Sequence, residues 1–274
     1  MPELPEVETV RRSLGPLVVG RQIVEVDVRR RDLRWNITDT FESTLQGRRI
    51  VSAGRRAKYL LFGLEDGNCW IVHLGMSGTL CHVGTGAGAV TTSHEHVVLM
   101  LEDGNRVVYR DPRRFGFMLV VEEPSACDHL VGLGPEPLDE DVFSGAYLAG
   151  MRRGTRRAVK NVLMDQCVVA GLGNIYVNEI LFVAGIRPTR AFRRLSRRDC
   201  DVVADATREV LNEAIAHRGT SMHDFLDGIG EKGGYQWRRL VYDREGQPCP
   251  NCATPVRACS VGQRSTFYCP RCQK

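Results

Sequence analysis

Apolar positions change period twice along this chain. Val7, Val10 and Leu14 recur at helical spacing and predict an amphipathic helix near the N-terminus. Pro5 suits its first turn, Glu6 and Glu8 complement the positive end of its dipole, Arg11 and Arg12 the negative end, and Gly15-Pro16 is expected to stop it. From Gln22 to about Val121 the period falls to two. Val24, Val26 and Val28 alternate with Glu25 and Asp27, and apolar runs flank Asp66-Gly67 and Asp103-Gly104, both hairpin signals. Short strands with no helix-length crossovers between them predict an antiparallel β-sandwich with flanking helices.

Leu133 to Glu140 is rich in proline and acid and reads as a linker. After it the period is helical again. Ala158 to Gln166 predicts a short helix and Gly171-Leu172-Gly173-Asn174 a tight turn. Ile175 to Ala184 predicts a second helix with Ile180, Leu181 and Val183 buried. A helix, two turns and a helix would offer Asn174 and backbone amides to a phosphate. A longer helix runs from Ser196, capped with Asp199, to His217 before Gly219, and serves as scaffold. The glycines of Gly84 to Thr92 and of Asp227 to Tyr235 predict mobile loops. The expected architecture is α+β: a sandwich domain at 1–133, a linker at 134–141, a helical domain at 142–235 and a ribbon hairpin at 236–274.

Length and composition suit two soluble domains: 274 residues, 43% of them hydrophobic. No apolar run reaches membrane-spanning length and the acidic N-terminus is unlike a signal peptide, so a cytoplasmic protein with no membrane partner is expected. The net charge of +4 is modest, but of 37 basic residues only Lys58, Lys160, Lys232 and Lys274 are lysines. Arginine forks suit phosphate, although a coding bias toward arginine gives the same excess. Lys58 stands out against that background.

Four of the ten cysteines form Cys249-Pro250-Asn251-Cys252 and, sixteen residues on, Cys269-Pro270-Arg271-Cys272. Two such knuckles are a strong zinc signature. Four thiolates leave no open position, so one structural ion is expected, holding a ribbon too short to bury a core. The other six cysteines show no ligand spacing.

The most unusual stretch is Met1-Pro2-Glu3. With Met1 removed, Pro2 presents a secondary amine whose pKa near ~8 leaves part of it unprotonated at neutral pH, able to attack a sugar C1′ or a carbonyl. Its iminium cannot lose its charge by deprotonation, and Glu3 would stand beside it as an acid. The bland alternative is a fraying terminus. Arg110-Asp111-Pro112-Arg113-Arg114-Phe115-Gly116 interleaves basic residues with one aromatic, as duplex-binding loops do. His73-Leu74-Gly75-Met76-Ser77-Gly78 predicts a sharp turn that exposes Met76. In Ser93-His94-Glu95-His96 the two rings would share one strand face, with no third metal ligand in view.

Pro2-Glu3-Leu4-Pro5-Glu6-Val7-Glu8-Thr9-Val10-Arg11-Arg12, the Arg110 to Gly116 loop, Ala170-Gly171-Leu172-Gly173-Asn174-Ile175-Tyr176 and the terminal cysteines together resemble the formamidopyrimidine-DNA glycosylases, bacterial base-excision repair enzymes. The resemblance covers the full chain. It implies a monomeric enzyme whose two halves clamp double-stranded DNA containing oxidised purines or abasic sites, excising the base and then cutting the strand by β,δ-elimination. It further implies Pro2, Glu3, Lys58 and Arg264 as catalytic residues, and His73, His94, Arg156 and Asn174 as DNA contacts. Met76, Arg113 and Phe115 would fill the gap left by an extruded nucleotide. Gly233 stands where the family's base-covering loop is expected to have proline. Two other classes remain: a non-catalytic zinc-ribbon DNA-binding protein, and the sister branch that removes oxidised pyrimidines.

Overall fold

The computed structural model describes residues 2–87, 93–152, 154–221 and 225–274. They form two compact units, one of residues 1–131 with 215–236 and one of 132–214 with 237–274. No helix among the described residues is long and apolar enough to cross a membrane.

In the first unit the order is α1 (Leu4–Val18), β1 (Ile23–Val28), α2 (Phe41–Leu45), β2 (Ile50–Arg56), β3 (Tyr59–Leu64), β4 (Cys69–His73), β5 (Thr79–Val83), β6 (Glu95–Leu101), β7 (Arg106–Arg110) and β8 (Phe117–Val121). The strands make two four-stranded antiparallel sheets, β1-β6-β7-β5 and β2-β3-β4-β8, as the period-two pattern requires. Both predicted hairpins form, their turn glycines Gly67 and Gly104 lying at φ 90 and 80.

Alternation sets which side chains meet between the sheets. Leu60, Phe62 and Leu64 of β3 point inward with Trp70 and Val72 of β4, against Val97, Leu99, Val107 and Tyr109 of the other sheet. Phe62 and Trp70 stack at 4.8 Å between centroids. β4 is buried on both faces, since Cys69 and Ile71 are covered by Cys127 and Leu130. Val7, Val10, Leu14 and Val18 of α1 complete the main core.

Helix α1 corrects two expectations. It runs through Pro16 to Val18, because a proline near a helix end forfeits one hydrogen bond and burial of Val18 offsets it. Gly15 is there for close approach: a Cβ on it would stand 3.2 Å from that of Ala53 in β2. Arg11 and Arg12 do not serve the helix end but turn back onto Glu8, each at 2.7 Å.

The stretch expected to be a mobile loop at Asp227 to Tyr235 is fastened at both ends, while residues 229–232 between them are exposed. Asp227 and Tyr235 are fully buried. The Gly228 amide donates to Ser13 Oγ at 2.8 Å, and Gly228 accepts from the His82 amide at 2.7 Å. The Gly233 amide donates to Ser221 Oγ at 2.9 Å, and a Cβ there would lie 2.3 Å from the Gly219 carbonyl oxygen. A proline at 233 would have neither the donor nor the room. Of the other predicted loop, residues 88–92 lie outside the described residues.

The second unit contains α3 (Gly145–Met151), α4 (Val159–Leu163), α5 (Asn174–Val183), most of α6 (Arg197–Ala216), β9 (Arg257–Val261) and β10 (Arg264–Tyr268). Helix α4 is shorter than predicted, because the Asp165 carbonyl and carboxylate take the amides of Val169 and Cys167 and turn the chain away. In α5 Phe182 is buried and Val183 only half-buried, the reverse of the expected emphasis, while Asn178 and Glu179 are fully buried. The Ser196–Asp199 box caps α6 reciprocally at 3.0 and 2.7 Å.

Those buried polar groups tie the C-terminal hairpin to the helices. Lys160 Nζ donates to Ser265 O and Thr266 Oγ1, both at 2.7 Å, and Asn178 Oδ1 accepts the Phe267 amide at 2.8 Å. The Glu179 carboxylate accepts the amides of Leu240, Val241 and Tyr242 at 2.6, 3.0 and 2.7 Å. Burial raises its pKa, against those three hydrogen bonds and the charge of Arg239.

Candidate active site

The N-terminus is anchored. Pro2 and Glu3 are buried. Glu3 is the cap of α1 in a capping box, with its amide donating to Glu6 Oε2 at 2.8 Å, while Glu6 Oε1 accepts the Thr220 amide at 2.7 Å. One carboxylate thus fastens the first residues to the segment following α6, which removes the fraying alternative.

Lys58 lies in the two-residue turn between Arg56 of β2 and Tyr59 of β3. Its partner in the turn, Ala57, has φ 51. Lys58 is only 7% exposed, unusual for a lysine in a turn. It is close enough to His73, with Arg34 and His129, to add to the burial that lowers the His73 pKa to about 4, against the opposing charge of Asp111. His73 is therefore neutral near pH 7. Its Nδ1 accepts the Gly75 amide at 3.1 Å, which leaves the proton on Nε2.

Met76 and Phe115 are 42% and 43% exposed, large apolar side chains standing out from the sandwich, and the Arg113 guanidinium lies 4.7 Å over the Phe115 ring. The exposure expected of Met76 from its glycine turn is found. What builds this rim is Asp111, a fully buried residue with no sequence signal of its own. Its carboxylate accepts Ser77 Oγ at 2.6 Å, the Gly116 amide at 2.8 Å, Tyr109 Oη at 3.1 Å and the Arg113 amide at 3.3 Å. The loop of Met76 and the loop of Arg113 and Phe115 thereby share one anchor. They also touch: a Cβ on Gly75 would fall 2.3 Å from the Gly116 nitrogen, and one on Gly116 would fall 2.0 Å from Tyr109 Oη.

His94 and His96 do not share a face. His94 precedes β6, is exposed, and has φ 68, whereas His96 is buried with Nε2 2.8 Å from the Asp111 carbonyl oxygen. Glu95 between them is taken by Arg29 and Arg110, each at 2.8 Å. Among the described residues, the group able to hold a metal is the four C-terminal cysteines.

In the second unit Asn174 begins α5 after Gly171 at φ 82, and its Oδ1 is buried without a hydrogen-bond partner. Gln166 closes the turn before it, donating to Leu172 O at 2.7 Å and accepting the Gly171 amide at 3.0 Å. Arg156 is exposed. Arg264 is exposed at the start of β10, after the turn residues Gly262 and Gln263 at φ 58 and 60. The four cysteine sulfurs lie within 4.8 Å of one another, with Cys249–Cys272 at 3.9 Å and Cys252–Cys269 at 3.5 Å. A tetrahedral Zn–S₄ site with bonds of ~2.3 Å has edges of ~3.8 Å, so the residues fit zinc and leave it no open position.

Sequence reading missed Asp111, Glu6 and Gln166 as organising residues, because the groups they hold are named only once the chain is folded.

An anchored N-terminal proline, an apolar and basic rim, a helix-start asparagine and a zinc ribbon together define a DNA-processing protein. Family models match in succession: the formamidopyrimidine-DNA glycosylase N-terminal domain over residues 1–118, its H2TH domain over 133–225, and the zinc finger found in FPG and IleRS over 246–274. Formamidopyrimidine-DNA glycosylases of Pseudomonas putida and Syntrophotalea carbinolica are 48% and 46% identical to the chain, with all of both proteins covered in each case. The crystal structure of the MutM (FPG) protein of Thermus thermophilus matches with a TM-score of 0.88 at 39% identity, over 99% of this chain and 98% of that one. The Lactococcus lactis protein in complex with abasic-site DNA matches with a TM-score of 0.90 at 30% identity, over 99% of each chain. The chain belongs to the formamidopyrimidine-DNA glycosylase family.

Proposed function

We infer that this protein is a bifunctional DNA glycosylase and abasic-site lyase acting on oxidised purines in duplex DNA. Membership of the family from the first residue to the last carries the reading, and the buried, capped Pro2-Glu3 terminus supports it. The Lactococcus relative has been seen with a Fapy-dG containing DNA, a ring-opened purine of the class assigned here. Met76, Arg113 and Phe115 favour the purine branch over its pyrimidine-specific sister.

In the mechanism, removal of Met1 frees the Pro2 amine. Its nitrogen attacks C1′ and the glycosidic bond breaks, its electron pair leaving with the base. Glu3 protonates O4′ as the C1′–O4′ bond opens to the iminium. The iminium draws electrons from the C2′–H bond, so that loss of this proton expels the 3′ phosphate, and a second elimination expels the 5′ phosphate. Lys58 assists proton transfer and holds phosphate. Arg264, Asn174, Arg156, His73 and His94 contact the DNA. Met76, Arg113 and Phe115 occupy the emptied stack and offset part of the unstacking cost of a few kcal/mol. Zinc, bound by Cys249, Cys252, Cys269 and Cys272, fixes the ribbon and takes no part in the chemistry.

The test is mass spectrometry of the mature N-terminus together with borohydride trapping on lesion-bearing duplex and peptide mapping of the adduct. The adduct is expected on Pro2. Pro2→Gly should keep part of the lyase activity, and Glu3→Gln should lose base excision yet still react with a preformed abasic site. An adduct on Lys58, or efficient trapping by protein that retains Met1, overturns the mechanism.

A further inference from the structure

Lys58 is held in its turn from a distance. The turn contains no glycine, yet Ala57 occupies the left-handed region at φ 51, a conformation unfavourable for a non-glycine residue that persists only where its surroundings fix it. Ala57 is 1% exposed. Its carbonyl oxygen accepts Arg55 Nη1 at 2.9 Å. Arg55, whose side chain is 10% exposed, reaches from the end of β2 to α1, where Nε donates to Glu8 Oε2 at 3.2 Å. The same Glu8 carboxylate also takes Arg11 through Nε at 3.0 Å and Nη2 at 2.7 Å, and Arg12 Nε at 2.7 Å.

Glu8 is thus the hub of three guanidinium groups, two from its own helix and one from the hairpin. Burial pushes its carboxyl up, but the hydrogen bonds of Arg11 and Arg12 and the charges of Arg11 and Arg55 outweigh that and hold it at about 2. Being ionised throughout the neutral range, it is a fixed post. The helix that supplies it is the one that Glu3 caps, directly after Pro2. A planar fork that joins a carboxylate on one side to a carbonyl on the other transmits position in a way that a flexible ammonium does not.

We propose that Glu8 and Arg55 are positioning residues for Lys58: Arg55, anchored on α1 by Glu8, holds the Ala57 carbonyl and so fixes the turn that presents the Lys58 ammonium at a set place relative to the N-terminal proline. The proposal rests on the reading of Lys58 as a group of the active site. Neither positioning residue touches substrate. They act on turnover through Lys58, and the DNA-contacting rim on Asp111 is left as it is.

A double-mutant cycle tests this, using the full zinc-loaded protein and duplex bearing one oxidised purine. Arg55→Met and Lys58→Met are made singly and together, and kcat and KM are measured for each, with melting temperature as a control. Arg55→Met should lower kcat about tenfold or more with KM within about twofold, and Arg55→Lys should recover part of the loss. In the Lys58→Met background, adding Arg55→Met should cost nothing further. Losses that multiply, or a loss confined to KM, overturn the positioning role while leaving the glycosylase reading intact. Full turnover by Lys58→Met overturns the role of Lys58 itself and the positioning proposal with it. Glu8→Gln, which keeps the shape of the side chain, should repeat the Arg55→Met pattern, and wild-type kcat in Glu8→Gln defeats the proposal even if Arg55→Met behaves as expected.

Discussion

Two hairpins of this molecule carry a cation of the proposed site, and they are built on opposite principles. The β2–β3 hairpin belongs to a sandwich with a large core, so its two-residue turn dispenses with glycine and buries Lys58, with Ala57 held by Arg55. The β9–β10 hairpin belongs to a ribbon with a small core. Its turn uses Gly262 and Gln263, both at positive φ, the backbone a tight type I′ turn asks for, and it leaves Arg264 exposed. Its fixed points are Lys160, Asn178 and the metal-binding cysteines. A cation that must sit at one place can be held by packing and ion pairs where a core exists, and by a metal and a few buried polar bonds where it does not.

The largest expected break in that comparison is at the metal. Cys249→Ser should release zinc, disorder the β9–β10 hairpin and abolish measurable duplex binding, while the sandwich melts as before. Full zinc occupancy by metal analysis, or unchanged affinity, would contradict the ribbon's dependence on it.

Acid should act on the other hairpin. The Glu8 carboxyl is depressed from 4.5 to about 2 in the folded protein, so its contribution is complete above pH ~4.5, declines as pH falls, and is gone once pH has passed through ~2. Discounted for the solvent that screens Arg11 and Arg12, the loss is of order 1–3 kcal/mol. His73 adds to the same slope: its pKa falls from 6.5 to about 4 on folding, so the unfolded chain binds its proton first and stability falls from pH ~6.5 downward. Denaturant melts against pH should show this slope in the wild type and a shallower one in Glu8→Gln. Equal slopes would remove Glu8 from the account.

A smaller effect is expected at the ribbon turn. Gly262→Val places a branched side chain at φ 58, with its Cβ 2.5 Å from Asn161 Oδ1, and should cost roughly 1–3 kcal/mol locally. Hydrogen exchange at β9 and β10 should quicken while the sandwich strands are unaffected. The smallest effect is at the sandwich rim: Phe115→Ala should leave the melting temperature nearly unchanged and weaken turnover on intact lesion-bearing duplex. A buried phenylalanine would instead cost ~3–5 kcal/mol, so a large fall in melting temperature would show that Phe115 is core.

Features carried by local pattern were legible in the sequence. Alternation marked the sandwich, Asp-Gly pairs its hairpins, the cysteine spacing the zinc site, and a glycine turn the exposure of Met76. Features that depend on a distant partner were not. Glu8 read as a dipole residue because Arg55 lies 47 positions away, and Asp111 read as one member of a basic loop because Ser77 lies 34 away. The glycine-rich segment 227–235 read as open chain, since composition does not reveal that Ser13, His82 and Ser221 take up its backbone groups. Pro16 read as a helix stop because the rule counts lost hydrogen bonds and is blind to the burial of Val18.

The backbone contact between Gly75 and Gly116 has a bearing on how the enzyme searches. Met76 and Phe115 sit on loops that meet with no room for even a methyl group and share the Asp111 carboxylate, so in the proposed role they would meet a duplex as one stiff unit. A stiff probe loses little conformational freedom when it enters a base step. Each trial insertion can then be brief, and its outcome is governed by how easily that step opens, which favours steps already weakened by a damaged base. On that reading, rigidity at the rim would serve discrimination before any bond to the sugar is made.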